Sequence, residues 1–505
     1  MKLPFRSLRI IALLGMFSTA FAEVKLNGIF SDNLVLQREL PAPVWGSAAP
    51  GETVTLAFAG QKKSAVADAA GKWRVVLDPL TASAENRVIT VTGDKTSAPV
   101  VVKNVLVGEV WHCGGQSNME WGIARSTDKE SIIAASANPL LRMGRMDHHS
   151  ELSPLATQPV KWNEASPATV KWYSAVPYLF GAGLQKELGV PVGIINSAYG
   201  GTRIECWLDA DTLKNGPWPQ DDFVNVAAAK ADYDAKVAKH QPAMDAYLAE
   251  KAKARAEKRP DPAPVEGWPG EFRGPTVLWN GEIAPIAGYA MRGMVWNQGE
   301  NNSQPGTGPR YLQLLTALAR SYRAAWGQGD FPLIVMQLCT YKKPGGYAEY
   351  REAQLKFTQA DRNSALIVTL DQSAPDGDVH YPDKREVSDR TVRAALGLVY
   401  QRPGEYSGPI FDAVKFNGRE AVVSFKHLGG GLVAKDGQLR HFELAGADKK
   451  FVPADARIAG DTVVVSAASV AAPAFVRYAF SQFPWPPANL FNKVGLPASS
   501  FRSDD

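Results

Sequence analysis

Between residues 23 and 104 the apolar positions recur at every second residue in short segments: Val54, Leu56 and Phe58; Trp73, Val75 and Leu77; Ile89 and Val91. Alternation of this kind, with Gly and Pro turns between segments, is the pattern of strands buried on one face. It predicts an N-terminal β-sandwich over 23–104. From residue 105 the pattern changes. Apolar runs at 105–111, 190–195, 291–296, 332–338 and 365–370 read as strands buried on both faces. Between them, Phe180, Leu184 and Leu188 before Gly189, and Tyr311, Leu314, Leu315, Leu318 and Tyr322, fall at helical spacing. Strands alternating with amphipathic helices predict an α/β layer with a parallel sheet over 105–407, its functional residues at the carboxyl ends of the strands. A stretch at 221–264, rich in Ala, Lys and Glu and closed by Pro260, Pro262 and Pro264, interrupts the alternation as a helical insertion with a solvated charged face. After Tyr400 the alternation stops, and 414–416, 422–425 and 463–465 predict a β-rich unit over 408–505.

Length agrees with several units, since 505 residues exceed what one hydrophobic core fills. Lys2, Arg6 and Arg9, an apolar run at 10–21 and the small-x-small triplet Ala20-Phe21-Ala22 read as a secretory signal over 1–22. The run is too short to span a bilayer, and no later stretch approaches the ~20 apolar residues a spanning helix needs. A secreted protein without a membrane partner is expected. Without the three leader cations, the formal charge falls from +4 to +1, 52 Lys and Arg against 51 Asp and Glu. No clustered basic surface speaks for a nucleic acid. Cys113, Cys206 and Cys339 lack metal-ligand spacing; buried free thiols are expected ahead of a Cys113–Cys206 bridge.

The first run of the α/β pattern leads into His112-Cys113-Gly114-Gly115-Gln116-Ser117-Asn118-Met119-Glu120. Paired glycines permit a tight turn, and a helix starting after Ser117 aims its first amides at a developing oxyanion. Taken alone, the serine reads first as a turn residue or helix cap. A serine nucleophile needs a base, and the chain has seven histidines, at 112, 148, 149, 240, 380, 427 and 441. His112, on the strand beside Ser117, is expected to be packed or solvated and not directed at it; His148 and His149 lie in a polar loop, His240 in the insertion, and His427 and His441 in the last unit. His380 follows the fifth run and precedes a helix, at the correct end of the sheet to take the serine proton. Asp376 and Asp378 are at hand to fix its tautomer. Two other strand ends are rich in donors: Asn196-Ser197-Ala198-Tyr199-Gly200-Gly201-Thr202 and Trp296-Asn297-Gln298-Gly299-Glu300-Asn301-Asn302. A Gly200 or Gly201 amide, with Gln298 or Asn302, would complete an oxyanion hole with the Ser117 amide. Gln116, Asn118, Glu300, Asn302 and Trp207 are the candidates for binding substrate, and Trp121, Trp207 and Trp296 are placed either to stack on a sugar or to be buried. No GxxxxGK[ST], HExxH or strand-borne GxGxxG occurs, and Gly429-Gly430-Gly431 precedes no helix.

Together these blocks resemble the sialate O-acetylesterase family of SGNH hydrolases. The resemblance rests on Gly115-Gln116-Ser117-Asn118-Met119, Gly200-Gly201-Thr202, Trp296 to Asn302 and His380-Tyr381-Pro382. It extends to Phe30-Ser31-Asp32 and Val44-Trp45-Gly46 at one end and to Asn489-Leu490-Phe491-Asn492 and Phe501-Arg502 at the other. It implies a flavodoxin-like three-layer catalytic domain and hydrolysis of O-acetyl esters on a carbohydrate. It implies Ser117 as nucleophile and His380 as base, with no metal and no organic cofactor. SGNH enzymes commonly carry Asp three residues before the histidine, where this chain has Gly377. The third member is therefore Asp378, Asp376 or a backbone carbonyl. Acetylated sialic acid, acetylated xylan or another hemicellulose, and a non-catalytic carbohydrate-binding role are the readings to separate. Asn301-Asn302-Ser303, the one glycosylation acceptor, lies inside the expected site and points away from a glycosylated, lysosomal protein toward a bacterial one.

Overall fold

The structure, a computed structural model, describes residues 23–218, 226–372, 374 and 376–504. The leader expected over 1–22 and residues 221–225 of the insertion lie outside them. In the N-terminal unit, Lys25–Leu26, Ala42–Ser47 and Lys72–Leu77 form one antiparallel sheet. Thr53–Phe58, Gln61–Val66 and Ser83–Gly93 form another. The residues that set the period-two pattern, Val54, Leu56, Phe58, Trp73, Val75, Leu77, Ile89 and Val91, are all buried in one core.

The second of these sheets does not end at residue 104. A strand of 16 residues, β1 (Val100–Gly115), pairs along its first half with Ser83–Gly93 and Val35–Gln37 and along its second half with the α/β layer. Residue 104 is a kink inside it. Asn104 takes a left-handed conformation (φ 56°), which asparagine tolerates, and its side chain donates to Asn33 Oδ1 and Glu164 Oε1, both at 2.8 Å.

The larger sheet continues with β2 (Asn138–Met146), β3 (Val160–Ala165), β4 (Val192–Asn196), β5 (Gly293–Asn297), β6 (Leu333–Met336) and β7 (Ser364–Ile367), in the order β3-β2-β4-β1-β5-β6-β7. All neighbours are parallel except the edge pair β3 and β2. The five apolar runs correspond to β1, β4, β5, β6 and β7, while β2 and β3 escaped them. Strand β2 carries Arg142 and Arg145, which break its apolar run. Arg142 is 1% exposed and is held by Pro139 O, Asn104 Oδ1 and Glu164.

Both faces of the sheet are covered. Helices α2 (Ala175–Leu188) and α6 (Arg385–Leu398) share a core with Ile194, Val295, Ile334 and Ile367. Helices α4 (Gly308–Trp326) and α5 (Tyr347–Ala360) share the other with Ile195, Met294, Trp296 and Val335. The period of two along each strand sends alternate residues to these two cores. Between α2 and α4, the expected insertion is the 31-residue helix α3 (Val226–Ala256), whose exposed charges include the i,i+4 pairs Lys230–Asp234 and Asp232–Lys236. The chain ends in two four-stranded antiparallel sheets and a strand pair, as the pattern after Tyr400 predicts. That unit is tied back to the layer by Arg502–Glu352 and by Gln337 Nε2 donating to Ser499 Oγ at 2.8 Å. No helix among the described residues is long and apolar enough to cross a membrane. All three cysteines are buried free thiols, as expected.

Glu109, in the middle of β1 and fully buried, accepts from Arg38 Nε (2.5 Å), Arg292 Nε (2.8 Å) and Gln37 Nε2 (3.1 Å). Burial alone would raise its carboxyl, but the hydrogen bonds and charge of Arg292 and the bond from Arg38 outweigh it and hold the group below the usual range. Replacing it strands two guanidinium groups. Glu109→Ala is expected to lower unfolding free energy by about 3 kcal/mol or more in urea denaturation at pH 7. The difference from wild type should shrink as pH falls through the lowered carboxyl pKa, where the wild-type contribution is itself lost.

Candidate active site

The chain enters the larger sheet at β1, places β2, β3 and β4 on one side of it and then crosses to the other for β5, β6 and β7, so the order reverses at β1. In an open α/β sheet the crevice outside the carboxyl ends at such a point is where ligands bind. Ser117 lies directly beyond β1, Gly200 beyond β4 and Gln298 beyond β5. The turn after β1 is tight because Gly115 takes φ 136° and a Cβ there would lie 2.1 Å from Asn297 O. Ser117 then opens the short helix α1 (Ser117–Glu120).

His380 arrives from beyond β7, in a loop that crosses the ends of β6 and β5. The loop is pinned where it passes. Val379 O accepts from Asn118 Nδ2 and Cys339 Sγ, both at 3.1 Å, and Gly377 O accepts from the Lys342 amide at 3.1 Å. The result is a continuous relay. Ser117 Oγ lies 2.8 Å from His380 Nε2, and His380 Nδ1 lies 2.9 Å from Asp378 Oδ1. With Nδ1–H donated to the carboxylate, Nε2 is left as the acceptor for the serine hydroxyl. Of the alternatives for the third member, Asp378 is the group in contact. Asp376 stands behind it, accepting from the Asp378 amide at 3.0 Å. The Asp378 carboxylate also accepts from the His380 amide at 2.6 Å, which a group two residues away does without long reach. The Trp121 ring stacks on the His380 ring at 5.4 Å and 21°, and Arg125 covers Trp121 at 3.9 Å.

The donors expected for an oxyanion divide into two sets. The amides of Ser117 and Gly201 donate to no protein acceptor among the described residues. The Gly200 amide, in contrast, donates to Glu120 Oε2 at 2.6 Å. Gln298 is fully buried, and its Nε2 serves Asn302 Oδ1 (2.7 Å), Gln116 Oε1 (3.2 Å) and Thr202 O (3.2 Å). As an oxyanion donor Gln298 is therefore corrected to an internal brace.

The substrate-binding candidates need the same correction. Trp207 is 0% exposed, packs edge-on against Trp296 and donates to Thr202 Oγ1, so it cannot stack on a sugar. Gln116 Oε1 accepts from Gln298 and from the amides of Gly299 and Asn301. Asn302 joins Gln298, the Ile204 amide and Glu205. Asn118 and Glu300 are bonded to each other at 2.8 Å. Polar groups at strand ends satisfy one another because water is excluded there, and sequence pattern does not distinguish such braces from contact residues.

Two residues of this crevice were not singled out. Glu120 Oε1 lies 3.3 Å from His148 Nε2, whose Nδ1 lies 3.2 Å from Glu282 Oε1, and the His148 ring stacks on Tyr199 at 3.9 Å. Burial alone would lower the His148 pKa, but the Glu120 and Glu282 carboxylates raise it to about 9, so it is an imidazolium at neutral pH. Glu120, one turn from Ser117 in the same block, was legible. His148 came from a loop without periodicity and was not. His112 is packed as expected: it sits against Tyr322 and Trp326, bonds Ser197 Oγ at 2.7 Å, and burial pushes its pKa down to about 3.

A family model described as carbohydrate esterase, sialic acid-specific acetylesterase, matches residues 281–394, a stretch that holds Gln298, Glu300 and His380. Sialate O-acetylesterase of Homo sapiens is 26% identical over 436 residues, 79% of this chain and 75% of the relative. Its counterpart in Mus musculus is 27% identical over 425 residues, 75% of each. Among solved structures, a carbohydrate acetylesterase from Xanthomonas citri is 32% identical and superposes with a TM-score of 0.80, covering 95% of this chain and 99% of that one.

The charged bridge at His148 has a pH signature. Its folded pKa is raised, so its stabilising contribution is complete below the unfolded value near 6.5 and is lost as pH rises through about 9. Thermal melts of wild type and His148→Gln across pH 5.5 to 10 are expected to differ most at the acid end and to converge above about pH 9.

Proposed function

This chain belongs to the carbohydrate esterases of the sialic acid-specific acetylesterase family, and from that premise we propose that Ser117, His380 and Asp378 deacetylate a carbohydrate by acyl transfer through the serine. The observation that carries this reading is the unbroken relay of 2.8 and 2.9 Å from the serine oxygen to the Asp378 carboxylate.

Ser117 Oγ attacks the acetyl carbonyl as His380 Nε2 takes its proton. The same nitrogen then protonates the sugar oxygen that leaves. Asp378 holds the tautomer and stabilises the imidazolium formed in between. The tetrahedral oxygen is held by the amides of Ser117, at the start of α1, and Gly201, while Gly200 is kept from that role by Glu120. Water, activated by His380, releases acetate. The two covered faces of a mostly parallel sheet support a flavodoxin-like layer of the SGNH type, and the leader pattern over 1–22 supports secretion, with a bacterial periplasm or exterior as the place of action.

For the substrate we propose O-acetylated sialic acid, on the strength of the human and mouse relatives. A second reading, acetylated xylan or another hemicellulose, is favoured by the broader carbohydrate acetylesterase description of the Xanthomonas relative. Ser117→Ala is expected to lower hydrolysis of an aryl acetate by about four orders of magnitude, and wild-type turnover by that variant would refute the nucleophile. A fluorophosphonate should label Ser117 in wild type, which a binding module would not allow. Acetate released from O-acetylated sialic acid, compared with acetylxylan, decides between the two substrates.

A further inference from the structure

The residue after the nucleophile is sealed inside the protein. Asn118 is 1% exposed, and its amide is engaged at both ends. Oδ1 accepts from Lys384 Nζ at 2.7 Å, and Nδ2 donates to Glu300 Oε1 at 2.8 Å and Val379 O at 3.1 Å. Only one orientation of the amide serves all three partners, because Lys384 presents N–H to one end and two acceptors face the other.

Lys384 is also 1% exposed. Its Nζ lies 3.4 Å from the Tyr381 ring centre and 5.5 Å from that of Trp121, the ring stacked on His380. A buried lysine is unfavourable unless something is gained, and the helix it precedes gains nothing: Lys384 occupies the N-cap position of α6 without a side-chain capping bond. What its side chain does meet is the nucleophile's neighbour and the aromatic floor of the catalytic base.

We propose that Lys384 is a positioning residue of the esterase: through Asn118 it fixes the Val379 carbonyl and with it the His380 backbone. This rests on the Ser117 and His380 reading above. The charged and titratable groups around Lys384 are Cys339 beyond β6, Glu300 beyond β5, Asp383 beside it and Arg125 over Trp121. Burial brings its ammonium down to about 7, against the pull of Cys339, Glu300 and Asp383, so its charge is present on the acid side of neutrality.

The test is hydrolysis of 4-nitrophenyl acetate by the purified chain, with Ser117→Ala as control. Lys384→Met keeps the volume and removes the charge. Its melting temperature should fall by no more than a few degrees, since loss of the buried cation offsets part of the cost of leaving Asn118 Oδ1 without a donor. Its kcat should fall about 10- to 100-fold with KM changed less than about twofold, as the base loses its placement. Lys384→Gln, which retains an N–H donor toward Asn118, should recover part of kcat with KM again little changed. A folded Lys384→Met with wild-type kcat overturns the proposal. So does a loss in both variants that merely matches the unfolded fraction seen by calorimetry. Full activity in Ser117→Ala would instead remove the reading on which the proposal stands.

Discussion

Every buried N–H and C=O along Val100–Gly115 must find a partner, and the partners come from four different strands: Ser83–Gly93 and Val35–Gln37 on the N-terminal side, β4 and β5 within the layer. That ladder couples two units that hydropathy presents as separate. It also fixes Ser117, because the residues that follow Gly115 leave the sheet at the strand that separates β4 on one side from β5 on the other. Glu109 sits midway along the same strand and draws Arg38 from the β unit and Arg292 from the approach to β5 onto one carboxylate. Shifting β1 by one residue would turn every side chain to the opposite core and bury that charge without its partners.

The crevice at the carboxyl ends combines two kinds of polar residue. Ser117, His380 and Asp378 form a line that ends in solvent, with Asp378 about half exposed at 52%. Gln116, Asn118, Gln298, Glu300 and Asn302 form a second set whose bonds run among the strand-end loops. Close placement of the first set requires the second. Loops from β1, β4, β5 and β7 meet without a continuous backbone ladder, and side-chain amides take over the role that ladder bonds play in the sheet.

The sequence made much of this legible, for reasons that can be named. Alternation exposed the N-terminal strands because each has one wet face. Doubly buried strands β1, β4, β5, β6 and β7 appeared as continuous apolar runs. Strand β2 stayed hidden because its interior includes Arg142, an ion pair in place of a hydrophobe. Residue type and strand position made Ser117 and His380 candidates, and only the companion blocks of the family resemblance raised them above a turn serine and a loop histidine. Strand-end position alone does not separate Gly200 from Gly201 or show that Gln298 is engaged, because a donor's availability depends on what else it touches, and Glu120 reaches Gly200 only in three dimensions. Neither the bridge through His148 nor the buried Lys384 had a local signal, since each brings together segments far apart in the chain.

The stack of Trp121 on His380 has a consequence for the entropy of the reaction. An imidazole at the end of a side chain ordinarily turns about two torsions, and a catalyst that must stop this rotation at each encounter loses rate in doing so. Here one nitrogen is tied to Asp378, one ring face lies against an indole, and that indole is covered in turn by Arg125. Under the proposed mechanism, the rotational freedom of His380 is surrendered once, during folding, and not again in each turnover.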